Sequence, residues 1–337
     1  DRALGLVDEA IVARRFTDSG ATRTRTIETL RSGVGGLLRA NGVDTIAGRG
    51  TFVGPHRLRI ETADESVDLA FDDAIVATGS EPVVPSGVDV DGCFVMTARE
   101  VLRLDRRPRH AVVVGGGYIG LELAGALNGF GTEVVVIEAT DRLLPGIEPA
   151  LTEYLAGQLA DGGVDIRLNT RLVDASAGAM SAEADGRESV RIDTEVVVLA
   201  IGRRPRTAGI GLEALGVPVG ETGHVEVDAE LRTDQHHVRA IGDITPGPAL
   251  AHRAMAQGRT AAESVAGKPV VHATAAVPAV VFTTPEIATV GLRLDEALEI
   301  GIDARQVRFP LAANPRGLML GGSGFGLLVH DRGSGLV

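Results

Sequence analysis

The chain has 337 residues, enough for two or three domains with substantial cores, and its net charge of −12 argues against a nucleic-acid or anionic-membrane surface. Cys93 is the only cysteine, which excludes an internal disulfide and fits a reducing, cytoplasmic compartment; without a thiol partner it reads as a buried apolar residue. The 44 glycines and the absence of tryptophan suit nucleotide-binding turns and closely packed helices.

The chain opens with a polar segment rich in Arg and Thr. A helical stripe of Ile27, Leu30, Val34, Leu37 and Leu38 follows, with Gly42 as its stop. Strand signals come next at Thr45-Ile46 and at Arg57–Ile60, then at Asp73–Ser80, where Pro82 and Pro85 end the block. From His110 the β-branched run Ala-Val-Val-Val ends in Gly115-Gly116-Gly117-Tyr118-Ile119-Gly120-Leu121-Glu122, the G-x-G-x-x-G spacing, and a helix-forming segment begins. A second strand, Thr132–Ile137, ends in Glu138, about 20 residues on. Each part has a physical role: Gly115 permits the tight turn, Gly117 lets backbone approach a pyrophosphate, and Gly120 lets helix and sheet pack closely. Glu138 is placed to accept hydrogen bonds from the adenine ribose; alone it would read as a solvated strand end.

Residues 111–127 are the most apolar stretch, yet they are too short, glycine-broken and interrupted by Glu122 to cross a membrane. A second helix is expected over Pro149–Asp161 and a third parallel strand over Val164–Leu168. Antiparallel hairpin strands follow over Leu172–Ile192, turning at Asp185-Gly186, and Glu195–Gly202 returns to the sheet. Near Val238 another buried strand ends in Gly242-Asp243, and a helix spans Ala251–Ala266. Beyond Lys268, strands at Val277–Phe282, Thr289-Val290 and Phe325–Val329, with a helix at Asp295–Glu299, start an α+β domain. No spacing of His, Cys, Asp or Glu reads as a metal site.

Ala77-Thr78-Gly79, Gly115–Glu122, Ala200-Ile-Gly202-Arg-Arg-Pro205, Gly242-Asp243, Leu250-Ala251-His252 and Thr284-Pro285-Glu286–Gly291 occur in this order. Together they resemble the FAD-dependent pyridine nucleotide–disulfide oxidoreductases, most closely the dihydrolipoamide dehydrogenase branch, which Phe309–Asn314 also favours. The resemblance implies an α/β fold with two nucleotide-binding Rossmann-like domains, each a parallel sheet plus β-meander in three layers, followed by a truncated α+β interface domain. It implies an FAD domain over residues 1–99, an NAD domain over 100–222, an FAD-domain return over 223–269 and a dimerisation domain over 270–337.

For NAD it implies contacts from Gly115, Gly116, Gly117, Tyr118, Ile119, Gly120, Leu121, Glu122, Glu138, Leu172 and Gly202. For FAD it implies Gly50, Thr78, Gly79 and Ser80 near the phosphates and adenosine. Asp243 would serve the ribityl chain, and Ala249, Leu250, Ala251 and His252 the flavin's pyrimidine end. Glu122 and Tyr118 would stand beside the nicotinamide as supporting groups, whereas ordinary readings are a helix-dipole carboxylate and a packing ring. His252 reads as a hydrogen-bonded structural histidine. The family's own opening glycine motif, its C-x-x-x-x-C pair and its terminal His-Pro…Glu segment have no counterpart here, so the expectation is a piece of a longer homodimeric parent with no catalytic residue of its own. The alternatives are a mercuric reductase-like or transhydrogenase-like flavoprotein, or a non-catalytic nucleotide-binding fragment. The expected partners are a small-molecule or lipoyl-domain disulfide, with no nucleic acid or membrane.

Overall fold

The computed structural model describes residues 9–176, 178–184, 187–272, 276–319 and 321–337. A long helix, α1 (Glu9–Ala40), comes first and takes in the Arg- and Thr-rich segment as well as the apolar stripe. Its buried anchor is Phe16, set edge-on against Phe130 at 5.2 Å. The stripe itself is not buried: Ile27, Leu30, Val34 and Leu37 are all exposed. The strand expected at Thr45-Ile46 is absent, because no described strand lies alongside to accept its hydrogen bonds.

An antiparallel meander follows, β1 (Arg49–Gly54), β2 (Arg57–Glu61) and β3 (Ser66–Ala70), then β4 (Ala74–Val76) and β5 (Ser80–Pro82). β6 (Val95–Thr97), α2 (Ala98–Val101) and β7 (His110–Val114) lead into α3 (Tyr118–Gly129) and β8 (Glu133–Ile137). α4 (Pro149–Asp161) and β9 (Asp165–Arg167) come next, with the helix spanning the range read from its Leu spacing. A second meander, β10 (Thr170–Ser176), β11 (Ala179–Ala184) and β12 (Val190–Asp193), precedes β13 (Val196–Leu199). The turn read at Asp185-Gly186 lies outside the described residues.

The central sheet is fully parallel in the order β6-β13-β7-β8-β9. Alternation along its strands builds three layers. Val113, Val136 and Val198 face α3 and α4, where they pack with Leu121, Ala124 and Leu155. Val112, Val114, Ile137 and Val197 face the second meander, where they meet Met180 and Ala182.

β14 (Arg203–Pro205) pairs with β5, and α5 (Leu212–Leu215) follows. β15 (Val238–Ala240) pairs in parallel with β4. Leu212, Leu215 and Val217 pack with Val76, Val238 and Ile244, so this stretch shares a core with the β4–β15 pair, ahead of the boundary expected at residue 222. α6 (Ala251–Val265) ends the unit.

The C-terminal part holds β16 (Ala279–Val281), β17 (Ile287–Thr289), α7 (Leu294–Glu299), β18 (Ala304–Pro310), α8 (Pro315–Met319) and β19 (Phe325–Asp331). β18, which carries no clean sequence pattern, pairs with β19 along its whole length, so that strand is not left with two open edges. Among the described residues no helix is long and apolar enough to cross a membrane.

Candidate nucleotide-binding sites

The glycine turn sits between β7 and α3 and is built by close contact. A Cβ on Gly115, whose φ is +112°, would lie 2.4 Å from the Ala200 carbonyl oxygen, and one on Gly120 would lie 2.0 Å from the Gly115 carbonyl oxygen. Both positions therefore admit only glycine without backbone movement. Gly117 is different: a Cβ there would meet nothing within 4 Å. Its open face fronts the start of α3, which has no side-chain cap on its first N–H groups. That is a cradle for an anion: free donors, a positive helix end and no side chain in the way. The residues present fit a dinucleotide pyrophosphate.

Beside this turn opens a cleft of about 350 Å³ at the carboxyl ends of the parallel strands, lined by Gly115, Glu138, Thr170, Arg171, Leu172 and Ile201 among others. Glu138 fixes its floor. The Gly116 N–H donates to Glu138 Oε2 at 2.7 Å, while the Thr140 N–H and hydroxyl donate to Oε1 at 2.8 and 2.9 Å. Three of the carboxylate's roughly four acceptor positions are thus taken. The Thr140 hydroxyl has the Arg142 carbonyl as an alternative acceptor at 2.9 Å, so its place on Glu138 is free to pass to an incoming hydroxyl. Arg142 turns away, donating to the Pro145 carbonyl.

Of the other residues read for this site, Leu172 lines the cleft, and Gly202, with φ +129°, follows the lining residue Ile201 in the chain. Ile119 is half-buried in the first turn of α3, and the Leu121 side chain lies wholly in the core. Glu122 Oε1 accepts the Phe282 N–H at 2.9 Å, joining α3 to the C-terminal part. Tyr118 is partly exposed; burial raises its phenol above the ordinary value, Arg203 opposes that, and Asp243 and Glu122 add to it.

The residues expected on the flavin side come from four places. Asp243 follows β15, and its Oδ2 accepts the Ser80 hydroxyl at 2.5 Å across 163 residues of sequence. The Thr78 hydroxyl donates to the Arg206 carbonyl at 2.7 Å, and Gly79 takes φ +69°. Ala249 and Leu250 lead into α6, whose first residues are Ala251 and His252. His252 Nε2 bonds the Pro278 carbonyl at 2.7 Å, the structural hydrogen bond expected of it. Gly50 stands in β1 opposite Ile60, packed on Leu58. Cys93, expected to be buried, is exposed. The turn that carries it is set by Asp91, whose carboxylate accepts the Cys93, Phe94 and Val95 N–H groups and turns the thiol outward.

Sequence reading did not single out Thr170, Arg171, Ile201 or Arg203 individually. Ile201 lies just past β13, so the rule that ligands gather at carboxyl ends of parallel strands was the signal for it. Among the described residues no cluster of three potential ligands is placed to hold a metal.

A parallel sheet with glycine turn and meander, joined by paired crossovers to a second, smaller parallel pair, defines a two-nucleotide α/β oxidoreductase scaffold. Residues 5–258 match the family described as pyridine nucleotide-disulphide oxidoreductase, and residues 277–337 match that family's dimerisation domain. The chain belongs to this family, whose members use FAD and NAD(H). It is similar to the dihydrolipoyl dehydrogenase of Geobacillus stearothermophilus, at 37% identity over 316 residues, covering 92% of this chain and 67% of that protein. It is likewise similar to the Halobacterium salinarum dihydrolipoyl dehydrogenase, 38% identical over 320 residues, 92% and 67% of the two chains. Among solved structures, LpdA from Mycobacterium tuberculosis superposes with a TM-score of 0.86 at 29% identity, covering 95% of this chain and 72% of that one. The HOCl-induced flavoprotein disulfide reductase RclA from Escherichia coli does so at 0.83 and 27%, covering 94% and 73%. The chain thus spans about two thirds of the length of these dihydrolipoyl dehydrogenases.

Proposed function

We propose that this chain carries the nicotinamide-side and flavin-side binding surfaces of a dihydrolipoyl dehydrogenase-type oxidoreductase, which moves electrons between NAD(H), FAD and a dithiol/disulfide substrate. The observation that carries the reading is the cleft where Glu138 is already hydrogen-bonded to the glycine turn. The bound nicotinamide and flavin supply the hydride and electron chemistry, and the protein holds and orients them.

Gly115, Gly116, Gly117 and Gly120 bring backbone to the pyrophosphate, with the amino end of α3 favouring its charge. Glu138 accepts from the adenine ribose hydroxyls, Leu172 and Gly202 wall the site, and Tyr118 and Glu122 stand toward the nicotinamide. On the other side Asp243 receives the ribityl hydroxyls, and Ser80, bonded to it, serves the phosphates and adenosine. Ala249–His252 present the positive end of α6 where negative charge develops, and Gly50, Thr78 and Gly79 serve the phosphates and adenosine. With one cysteine, the chain has no internal dithiol to exchange with a disulfide, so the thiol step belongs to groups outside it. The substrate class is a lipoyl or small-molecule disulfide, the assembly a homodimer through the C-terminal part, and the setting a reducing cytoplasm.

The nucleotide is NAD(H). Glu138 repels a 2′-phosphate, and Arg142 is committed to the Pro145 carbonyl. Titration of the chain, followed by nicotinamide fluorescence, should give tighter binding of NADH than of NADPH. Equal or tighter NADPH binding overturns the reading.

A further inference from the structure

The turn that carries Asp243, Gly242–Ile244, and the start of α6 are joined by Thr245-Pro246-Gly247-Pro248. Pro246 and Pro248 have no N–H, so this link cannot hold itself with a backbone ladder. Side chains of α6 hold it instead. Arg253, in the first turn of the helix and buried, reaches back to the link. Its Nη1 donates to the Pro248 carbonyl at 3.2 Å, and its Nη2 donates to the Thr245 hydroxyl at 3.1 Å and to the Pro246 carbonyl. Gly247 takes φ +116°, and a Cβ there would lie 2.9 Å from Nη2, so bare backbone packs against the guanidinium.

One helical turn further on, Gln257 ties in the other segment. Its Oε1 accepts the Gly242 N–H at 2.7 Å, and its Nε2 donates to Thr245 Oγ1 at 3.3 Å. The Thr245 hydroxyl donates in turn to the Gly242 carbonyl at 2.9 Å. A hydroxyl has one proton to give and two lone pairs, so Thr245 is fully committed, with Arg253 and Gln257 as its donors. Thr245 and Gln257 are buried, and the bonds run unbroken from the Asp243 turn to the head of α6. The three groups that Arg253 bonds are a hydroxyl and two carbonyls, all neutral. Here the guanidinium serves as a planar fork of donors and not as half of an ion pair.

We propose that Arg253 is a positioning residue, whose guanidinium clamps residues 245–248 and so sets the spacing between Asp243 and the start of α6. That these two segments face FAD rests on the reading under Proposed function, whereas the clamp is a matter of the chain's own bonds. A lysine would keep the charge and much of the stem. It would donate from a single point, however, and could not span acceptors that two separate nitrogens now reach.

Amide exchange of the chain without nucleotide tests the clamp. The Thr245 N–H is bonded to the Gly242 carbonyl at 3.0 Å and the Leu250 N–H to the Pro248 carbonyl at 2.9 Å. In Arg253→Lys both should exchange about tenfold faster, while Val113 and Val198 in the central sheet keep their parent rates. Parent rates at Thr245 and Leu250 overturn the proposal. Equal acceleration at Val113 and Val198 does so too, because it marks a general loss of stability. Titration with FAD, followed by flavin fluorescence, gives the second readout. Arg253→Ala should bind FAD about tenfold more weakly. Methylguanidinium ion should restore that binding, and methylammonium ion, with the same charge and no fork, should not. FAD binding at parent strength in Arg253→Ala, or equal rescue by both ions, also overturns the proposal. If Arg253→Ala does not fold, the exchange comparison in Arg253→Lys decides alone. If the parent chain binds no FAD, the flavin-side reading fails and the exchange comparison still decides the clamp.

Discussion

Gly117 and Gly120 lie three residues apart, and the structure gives them opposite jobs. A Cβ at Gly120 would press on the Gly115 carbonyl at 2.0 Å, so Gly120→Ala forces α3 off the sheet, at a cost in the upper part of the roughly 1–3 kcal/mol range for overpacking. At Gly117 the φ of −78° suits any residue and the space is open, so Gly117→Ala should leave the melting temperature within about 2 °C. It should nonetheless weaken NADH binding about tenfold, since the methyl group occupies the pyrophosphate's approach. Paired thermal melts and titrations check this, and unchanged NADH affinity in Gly117→Ala counts against the site. The glycine pattern was legible in sequence because it encodes backbone constraints that no other residue meets. The exposure of Cys93 was not, because it depends on how Asp91 gathers three N–H groups into a turn.

β7, β8, β9 and α4 were legible to within a residue or two, since β-branched runs and Leu spacing carry their own periods, whereas β6 was not read from the sequence at all. What failed was the inference from pattern to burial. The stripe on α1 has helical spacing, yet Leu30 stays 66% exposed while Phe16, outside the stripe, is 9% exposed and anchors the helix. Periodicity says which side is apolar and nothing about what covers it. β18 escaped notice because Arg305, Arg308 and its terminal Pro310 blur the alternation; Arg308 instead lies over the Phe325 ring at 3.7 Å, holding the ribbon across its partner strand. These facts set an expected contrast in urea unfolding. Phe16→Ala should destabilise by about 3 kcal/mol, and Leu30→Ala by less than about 0.5 kcal/mol. Equal effects at the two positions show that α1 packs otherwise.

The whole molecule should be sensitive to acid at identifiable points. The N–H groups of Cys93, Phe94 and Val95 hold the Asp91 carboxyl below its ordinary value, and the Arg109 N–H and guanidinium do the same for Glu195. A carboxylate depressed in the folded state stabilises it fully above the unfolded value of about 4 and loses that contribution as pH falls toward the lower folded value. Melting temperature should therefore fall below about pH 4, and less steeply in Asp91→Asn; an identical slope in that variant removes Asp91 from the account. The glycine turn and Glu138 are the proposed NAD(H) site of this oxidoreductase. Amide hydrogen exchange with and without NADH tests it most directly. Protection is expected over residues 115–122 and 138–140, with none at 249–252. No protection at the turn, or protection confined to the start of α6, contradicts it.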